Sequence, residues 1–228
     1  LGDLFQISSI RIFPDGKQSV DRRQAAQRKV LNIVEGVNGA KYIRGEIMVG
    51  FSEESSIEDL EALLNSINGS VIEVIDSPGL YRIKLQDNMS VEEATRIALA
   101  QSGVTATEPN LAFPVIVSDT LPLTGIGERI NLNLLPGETA IAVFDSGLDP
   151  AYVDYPFIRG TYNALDPTAK ISDPTGHGTL TSLIAAGAIT PLGAKASENG
   201  VPVVSIRTFD QNGMTSSDTI MRAIEYAA

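Results

Sequence analysis

The 228-residue chain holds a single histidine. His177 stands in "GHGTLTSLIAAG", which begins at Gly176, while Asp145 closes the apolar run of "IAVFDSG" at 141–147. A carboxylate can hold one nitrogen of an imidazole and leave the other free to take a proton from a hydroxyl, so this pairing has the makings of a general base. Each residue alone has a plainer role: Asp145 can cap the turn that Ser146 and Gly147 permit, and His177 can be structural. A metal site finds little support, because no second histidine or cluster of carboxylates stands at ligand spacing. Gly176 and Gly178 flank the histidine, remove bulk beside the imidazole and let another segment approach closely.

The elements around these residues are of the kind that would place them. "TAIAVF" and "VPVVSI" are nearly continuous apolar runs, expected as strands buried on both faces, each followed by a turn and a helix candidate. Sites in parallel sheets collect at the carboxyl ends of strands, where Asp145 falls. Residues 139–228 are too few for a whole doubly wound sheet and read as the start of one. Ahead of them, residues 114–138 are broken by prolines and glycines and read as a linker or an exposed leading strand.

Residues 42–113 have a different texture. "YIRGEIMVGF" reads as a strand, and "SSIEDLEALLNSING" as a helix with Ile57, Leu60, Leu64 and Ile67 on one face, Ser55 and Glu58 as a capping box and Gly69 as its stop. "VIEVI" and "YRIKL" follow around the Pro78-Gly79 turn. Next comes the helix "SVEEATRIALAQSG", with Ser90 and Glu93 at cap spacing and Gly103 at its end, and a last extended piece, "VTATEPN". The order strand, helix, strand, strand, helix, strand predicts a ferredoxin-like α+β domain, two helices covering one face of a small antiparallel sheet.

Composition narrows the chemistry. With 43% hydrophobic residues the chain can bury packed cores, and with no cysteine it excludes disulfides, zinc-thiolate sites and thiol catalysis. The net charge of -11 divides into +3 for residues 1–41, -8 for 42–113 and -6 for 114–228. The one basic segment, "DRRQAAQRKV", reads as a solvated face, so no nucleic-acid partner is expected. No apolar run approaches membrane-spanning length, and the opening "LGDLFQISS" lacks the form of a signal peptide, so no membrane association is expected.

"IAVFDSG", "GHGTLTSLIAAG" and "VPVVSIRTFDQNGMTSSDTIMRAIEYAA" together resemble the subtilisin-like serine proteases, the peptidase S8 family. The resemblance implies that Asp145 and His177 are catalytic and that "DQNGMTS" is a substrate-binding segment. There Gly213, Met214 and Thr215 would offer backbone hydrogen bonds to an extended protein or peptide substrate. It also implies that the front domain is an inhibitory propeptide, an intramolecular partner of the protease. Its tail would be "TEPNLAFP", with Glu108, Pro109, Asn110, Leu111, Ala112 and Phe113, and processing would fall between Pro114 and Val117. The expected organisation is an N-terminal extension at 1–41, the propeptide at 42–116 and the first portion of a parallel-sheet subtilisin-like α/β catalytic domain at 117–228. Family likeness implies a secreted or cell-surface serine endopeptidase zymogen.

The sequence departs from a working member in one large respect. The family's nucleophilic serine and oxyanion asparagine lie downstream of anything in these residues, and Ser146, Ser182 and Ser205 are poor substitutes, so this chain alone, without the missing C-terminal part of the catalytic domain, is expected to be inactive. A non-catalytic inhibitor or interaction module built on residues 42–113 is the alternative. Leu180 replaces the second histidine found in many members. Asp154 matches a calcium-binding carboxylate, yet "AGAITPLGAKASENG" lacks a matching ligand loop; no cofactor is required, and calcium would be a structural ion. Asp173, four residues before His177, reads as a solvated loop carboxylate or one that favours basic groups in the cleft.

Overall fold

The computed structural model describes residues 31–36, 39–76, 79–114, 132–134, 137, 139–191, 193–195 and 199–228, and the backbone of 10–12 and 18–20. The basic segment at 21–30 and residues 115–131, which include most of the expected linker and processing junction, lie outside the described residues. The chain forms two compact units. One comprises residues up to Phe113 together with Ser216–Glu225; the other comprises Pro114–Thr215 and Tyr226–Ala228.

In the first unit, β1 (Ile10–Ile12) and β2 (Gln18–Val20) form an antiparallel pair. β3 (Ile33–Glu35) pairs antiparallel with the start of β4 (Lys41–Phe51). Then come α1 (Ile57–Ile67), β5 (Gly69–Ile75), β6 (Leu80–Leu85), α2 (Val91–Leu99) and β7 (Val104–Pro114). The sheet runs β7-β4-β6-β5 with antiparallel neighbours. Alternation along the strands sorts side chains to two faces. Ile47, Val49 and Ile83 pack with Leu60, Leu63, Leu64 and Ile67 of α1 and with Val91, Ala94 and Ala98 of α2 in one apolar core.

The cap of α1 lies one residue later than its sequence suggests. Ser56 Oγ accepts from the Asp59 N–H and the Asp59 carboxylate accepts from the Ser56 N–H, so the capping box is Ser56-Asp59 and not Ser55-Glu58. Ser55 is otherwise engaged: its hydroxyl donates to the Gly103 carbonyl, and a Cβ on Gly103 would overlap it. At the other end Asn68 takes the left-handed conformation (φ 50°) that closes the helix, and Gly69, expected as the stop, already begins β5. In α2 the Ser90 hydroxyl accepts the Glu93 N–H, while the Glu93 carboxylate turns to Arg96.

The other face of the same sheet is ionic. Arg82, 1% exposed, donates Nη1 to Glu73 at 2.6 Å and to Asp218 at 2.7 Å, with Glu46 beside its Nε at 3.5 Å. Arg222 makes a two-pronged contact with Glu73 and a further bond to Asp218. Asn110 of β7 donates to Glu46 and Asp218 and accepts the Asp218 N–H. Three carboxylates and two guanidiniums thus pair with one another out of water, while Nε and Nη2 of Arg82 make no hydrogen bond.

In the second unit the elements are β8 (Asn133–Leu134), β9 (Ile141–Asp145), a 3-10 turn (Pro150–Tyr152), β10 (Ile158–Asn163), α3 (His177–Ala186), β11 (Asn199–Gly200), β12 (Val203–Arg207), β13 (Met214–Ser216) and α4 (Ser217–Ala227), whose first residues belong to the first unit. β8 and β11 pair in parallel, and β10-β12-β9 form an all-parallel sheet. α3 follows β10 and precedes β12, as a parallel crossover requires. Val143, Phe157, Leu183, Ala186, Ala188 and Val203 make the core. The expectation that β9 is buried on both faces is corrected: Ile141 is 43% exposed and Ala142 is exposed, because β9 is an edge strand among the described residues. The fold is mixed α/β, an antiparallel sheet in one unit and parallel strands in the other. Among the described residues no helix is long and apolar enough to cross a membrane.

Removing one member of a buried ion cluster strands its partners without counter-charge. Arg82→Met is therefore expected to destabilise the first unit by about 3–5 kcal/mol in urea unfolding followed by circular dichroism. Arg96→Ala, which breaks an exposed pair with Glu93, should leave the transition in place. Equal midpoints for Arg82→Met and the parent would show that the buried carboxylates do not depend on Arg82 for counter-charge.

Candidate active site

Asp145 ends β9 with its carbonyl accepting from the N–H groups of Thr208 and Phe209, which follow β12, so the two strands leave the sheet together. The chain then turns at Gly147, whose φ of 127° and closeness to the Ser172 carbonyl leave no room for a side chain. Gly178 faces it: a Cβ there would stand 2.6 Å from the Gly147 nitrogen and overlap its oxygen. The end of β9 and the start of α3 therefore meet backbone to backbone. Gly176 serves conformation alone, with φ 77° and nothing within 4 Å of a built Cβ.

This approach sets His177 Nδ1 2.7 Å from Asp145 Oδ1. The Asp145 side chain is 8% exposed and that of His177 32%. The same Oδ1 accepts the Ser146 N–H at 2.7 Å, which fixes the carboxylate plane. Since a carboxylate only accepts, the neutral ring carries its proton on Nδ1 and keeps a lone pair on Nε2, the form a general base needs. The pair borders a cavity of about 570 Å³ within the second unit, lined also by Leu180, Phe209, Gly213 and Pro114.

Asp173 is half-buried, and its carboxylate is bound to the start of α3. Its Oδ1 accepts from the Ser146 hydroxyl, the Gly176 N–H and the Thr175 N–H at 2.7, 3.0 and 3.2 Å, and its Oδ2 from the Thr179 N–H and hydroxyl, both at 2.7 Å. Burial alone would raise this carboxyl; the bonds from Thr179, Ser146 and Thr175 outweigh it and hold the carboxyl below its ordinary value of 3.8.

The expected substrate segment is built differently from its sequence reading. Gly213 (φ 71°) lines the cavity, but Thr215 is buried, and Met214 gives its N–H to Asp210 Oδ1 and its carbonyl to the Asp210 N–H. The Gly213 N–H is likewise spent on the Asp210 carbonyl. The backbone of Gly213 and Met214 thus closes a turn around Asp210. Asp210 was missed, although Asp-x-Asn-Gly is a turn signature that could have revealed it.

The three serines near the pair are committed elsewhere. Ser146 accepts the Gly178 N–H while donating to Asp173, Ser182 donates to Ser205, and Ser205 donates to the Gly147 carbonyl. Glu108, Pro109 and Leu111 stand in β7 opposite Met48, Ile47 and Tyr42; Asn110 and Ala112 are buried, and Phe113 is 43% exposed. Asp154 is exposed, and among the described residues no group of three or more His, Cys, Asp or Glu side chains is gathered for a metal.

Comparison with known proteins bears on the first unit most directly. A family model described as the fervidolysin N-terminal prodomain matches residues 28–110. Residues 28–110 are thus similar to that prodomain. The match begins within the expected N-terminal extension, before the β3 strand that pairs with β4. The crystal structure of fervidolysin from Fervidobacterium pennivorans, a keratinolytic enzyme related to subtilisin, aligns with 92% of this chain at a TM-score of 0.54 and 17% identity. The chain spans 37% of that protein's length. Comparison with curated protein sequences gives no significant match.

Two measurements check this construction. Gly176→Ala should cost about 1–2 kcal/mol for its left-handed backbone, and Gly178→Ala clearly more, because backbone atoms of Gly147 must move; equal losses in thermal unfolding would refute the close approach. The second is acid stability. A carboxyl lowered by folding contributes stability that is full above its unfolded value and is lost as pH falls through the folded one. The destabilisation caused by Asp173→Asn should be largest at neutral pH and shrink as the pH drops below 3.8, and a gap constant with pH would contradict it.

Proposed function

We propose that this chain is the propeptide and the first part of the catalytic domain of a subtilisin-like serine endopeptidase precursor. The observation that carries the reading is the 2.7 Å contact between His177 Nδ1 and Asp145 Oδ1 at the carboxyl end of a parallel strand, in a chain whose residues 28–110 match a subtilase-related prodomain.

In this reading His177 Nε2 takes the proton of a serine hydroxyl supplied by sequence outside these 228 residues as the serine oxygen attacks the scissile carbonyl. The imidazolium returns that proton to the leaving amine when the C–N bond breaks, and water then hydrolyses the acyl-enzyme by the same base. Asp145 keeps the ring in the productive tautomer and stabilises its charged form. The substrate is a protein bound as an extended segment, with Leu180 and Phe209 as apolar contacts and Gly213 allowing close approach of its backbone. Residues 42–113 act as the intramolecular inhibitor until self-cleavage, and the enzyme works at the cell surface or outside the cell. Alone, the 228-residue chain is inactive.

The test uses the complete precursor and a fluorophosphonate, which labels an activated serine. The parent should be labelled, release its propeptide and cleave casein. His177→Ala should lose labelling and self-cleavage, with kcat down by roughly 10⁴-fold or more. Normal processing by purified His177→Ala precursor would overturn the assignment. A precursor that never labels, but inhibits an added protease through residues 42–113, would establish the inhibitor module in its place.

A further inference from the structure

A helix leaves its first four N–H groups without partners inside the helix, and an N-cap side chain normally takes some of them. The N-cap of α3 is Gly176, which has no side chain to offer. All four groups are nevertheless bonded: Gly176 N–H to Asp173 Oδ1, His177 N–H to Thr175 Oγ1, Gly178 N–H to Ser146 Oγ and Thr179 N–H to Asp173 Oδ2. The two hydroxyls are themselves tied to Asp173, Ser146 directly at 2.7 Å and Thr175 through Ser146 at 2.7 Å. One carboxylate therefore organises the whole first turn, and the turn is the one that carries the imidazole.

The same carboxylate reaches the partner of that imidazole. Ser146 follows Asp145, and its N–H is the second donor to the Asp145 Oδ1 that holds His177. With its hydroxyl clamped between Asp173 and the Gly178 N–H, Ser146 has its backbone fixed relative to both residues of the pair. Anionic Asp173 is favoured where it stands, at the positive end of α3 and near the half-buried guanidinium of Arg207, whose Nη1 donates to Ser172. We propose that Asp173 is a positioning residue for the Asp145–His177 pair, setting the imidazole's approach to Asp145 through Ser146 and the first turn of α3. This rests on the reading of the pair as a general-base system, and it adds a residue that touches neither substrate nor reacting atoms.

The chain has one histidine, so ¹⁵N NMR of the 228-residue protein reports one imidazole. In the parent the Nδ1–H tautomer and a low-field Nδ1 proton are expected. Asp145→Asn should abolish both; if it changes neither, the paired-base reading itself fails, whatever Asp173 does. Asp173→Asn, which turns one acceptor atom into an N–H₂ facing bonded donors, should shift the folded protein toward the Nε2–H tautomer and lose the low-field proton. Ser146→Ala keeps the charge of Asp173 but cuts its link, and should speed exchange of the Nδ1 proton with water about tenfold, the factor one net hydrogen bond carries. A role confined to capping the helix would lower the melting temperature yet leave tautomer and low-field proton of the folded molecule as in the parent. That result in Asp173→Asn overturns the proposal, and if this variant does not fold, unchanged exchange in Ser146→Ala overturns it equally.

Discussion

The second unit is organised around the contact of two glycine backbones. A side chain on Gly147 would collide with the Ser172 carbonyl, and one on Gly178 with Gly147 itself. Only with both Cβ atoms missing can the strand that ends in Asp145 and the helix that begins at His177 come close enough for a 2.7 Å bond between their side chains. The hydrogen bond is the visible outcome, and the missing methyl groups are its cause. Dense packing gives such a contact little tolerance, since backbone atoms cannot rotate away as a flexible side chain can.

Around this contact, polar groups are used economically. The loop from Asp173 to Thr179 supplies a helix whose N-cap is a glycine with partners borrowed from a carboxylate and two hydroxyls. The turn from Asp210 to Met214 closes on one carboxylate and the backbone atoms of the same residue. Both are rigid devices in which an aspartate receives several N–H donors, and both lie on the rim of the cavity beside the Asp-His pair. Preorganised donors and acceptors of this kind allow a site to act on a transition state without rearranging during the reaction.

The first unit solves a different problem with the same physics. Its sheet is apolar on one face, against two helices, and ionic on the other, where Arg82 and Arg222 lie among Glu46, Glu73 and Asp218. Burying five charges is costly unless each is met, and here the fit demands one geometry. An apolar surface would accept many arrangements of a covering helix; forked guanidinium contacts accept few. The ionic face therefore ties residues 216–225 to the sheet through forked contacts.

Local chemistry made much of this legible in advance. Two helices with serine caps, the strand order of residues 42–113, a parallel unit after them, and the pairing of Asp145 with His177 all follow from periodicity, glycine placement and short motifs, because those signals act within a few residues. What escaped the sequence depends on partners distant along the chain. The cap of α1 moved from Ser55 to Ser56 because Gly103 takes the Ser55 hydroxyl. β9 is half exposed because it stands at an edge among the described residues. Met214 gives its N–H to Asp210, and Asp173 accepts from the first turn of α3. Nothing near Arg82 in the sequence announces Asp218, which lies 136 positions later. The sequence by itself determined which residues can form the pair and which elements carry them. Only the tertiary structure decided where each buried donor finds its acceptor, because leaving a polar group unpaired out of water costs more than any local preference can supply.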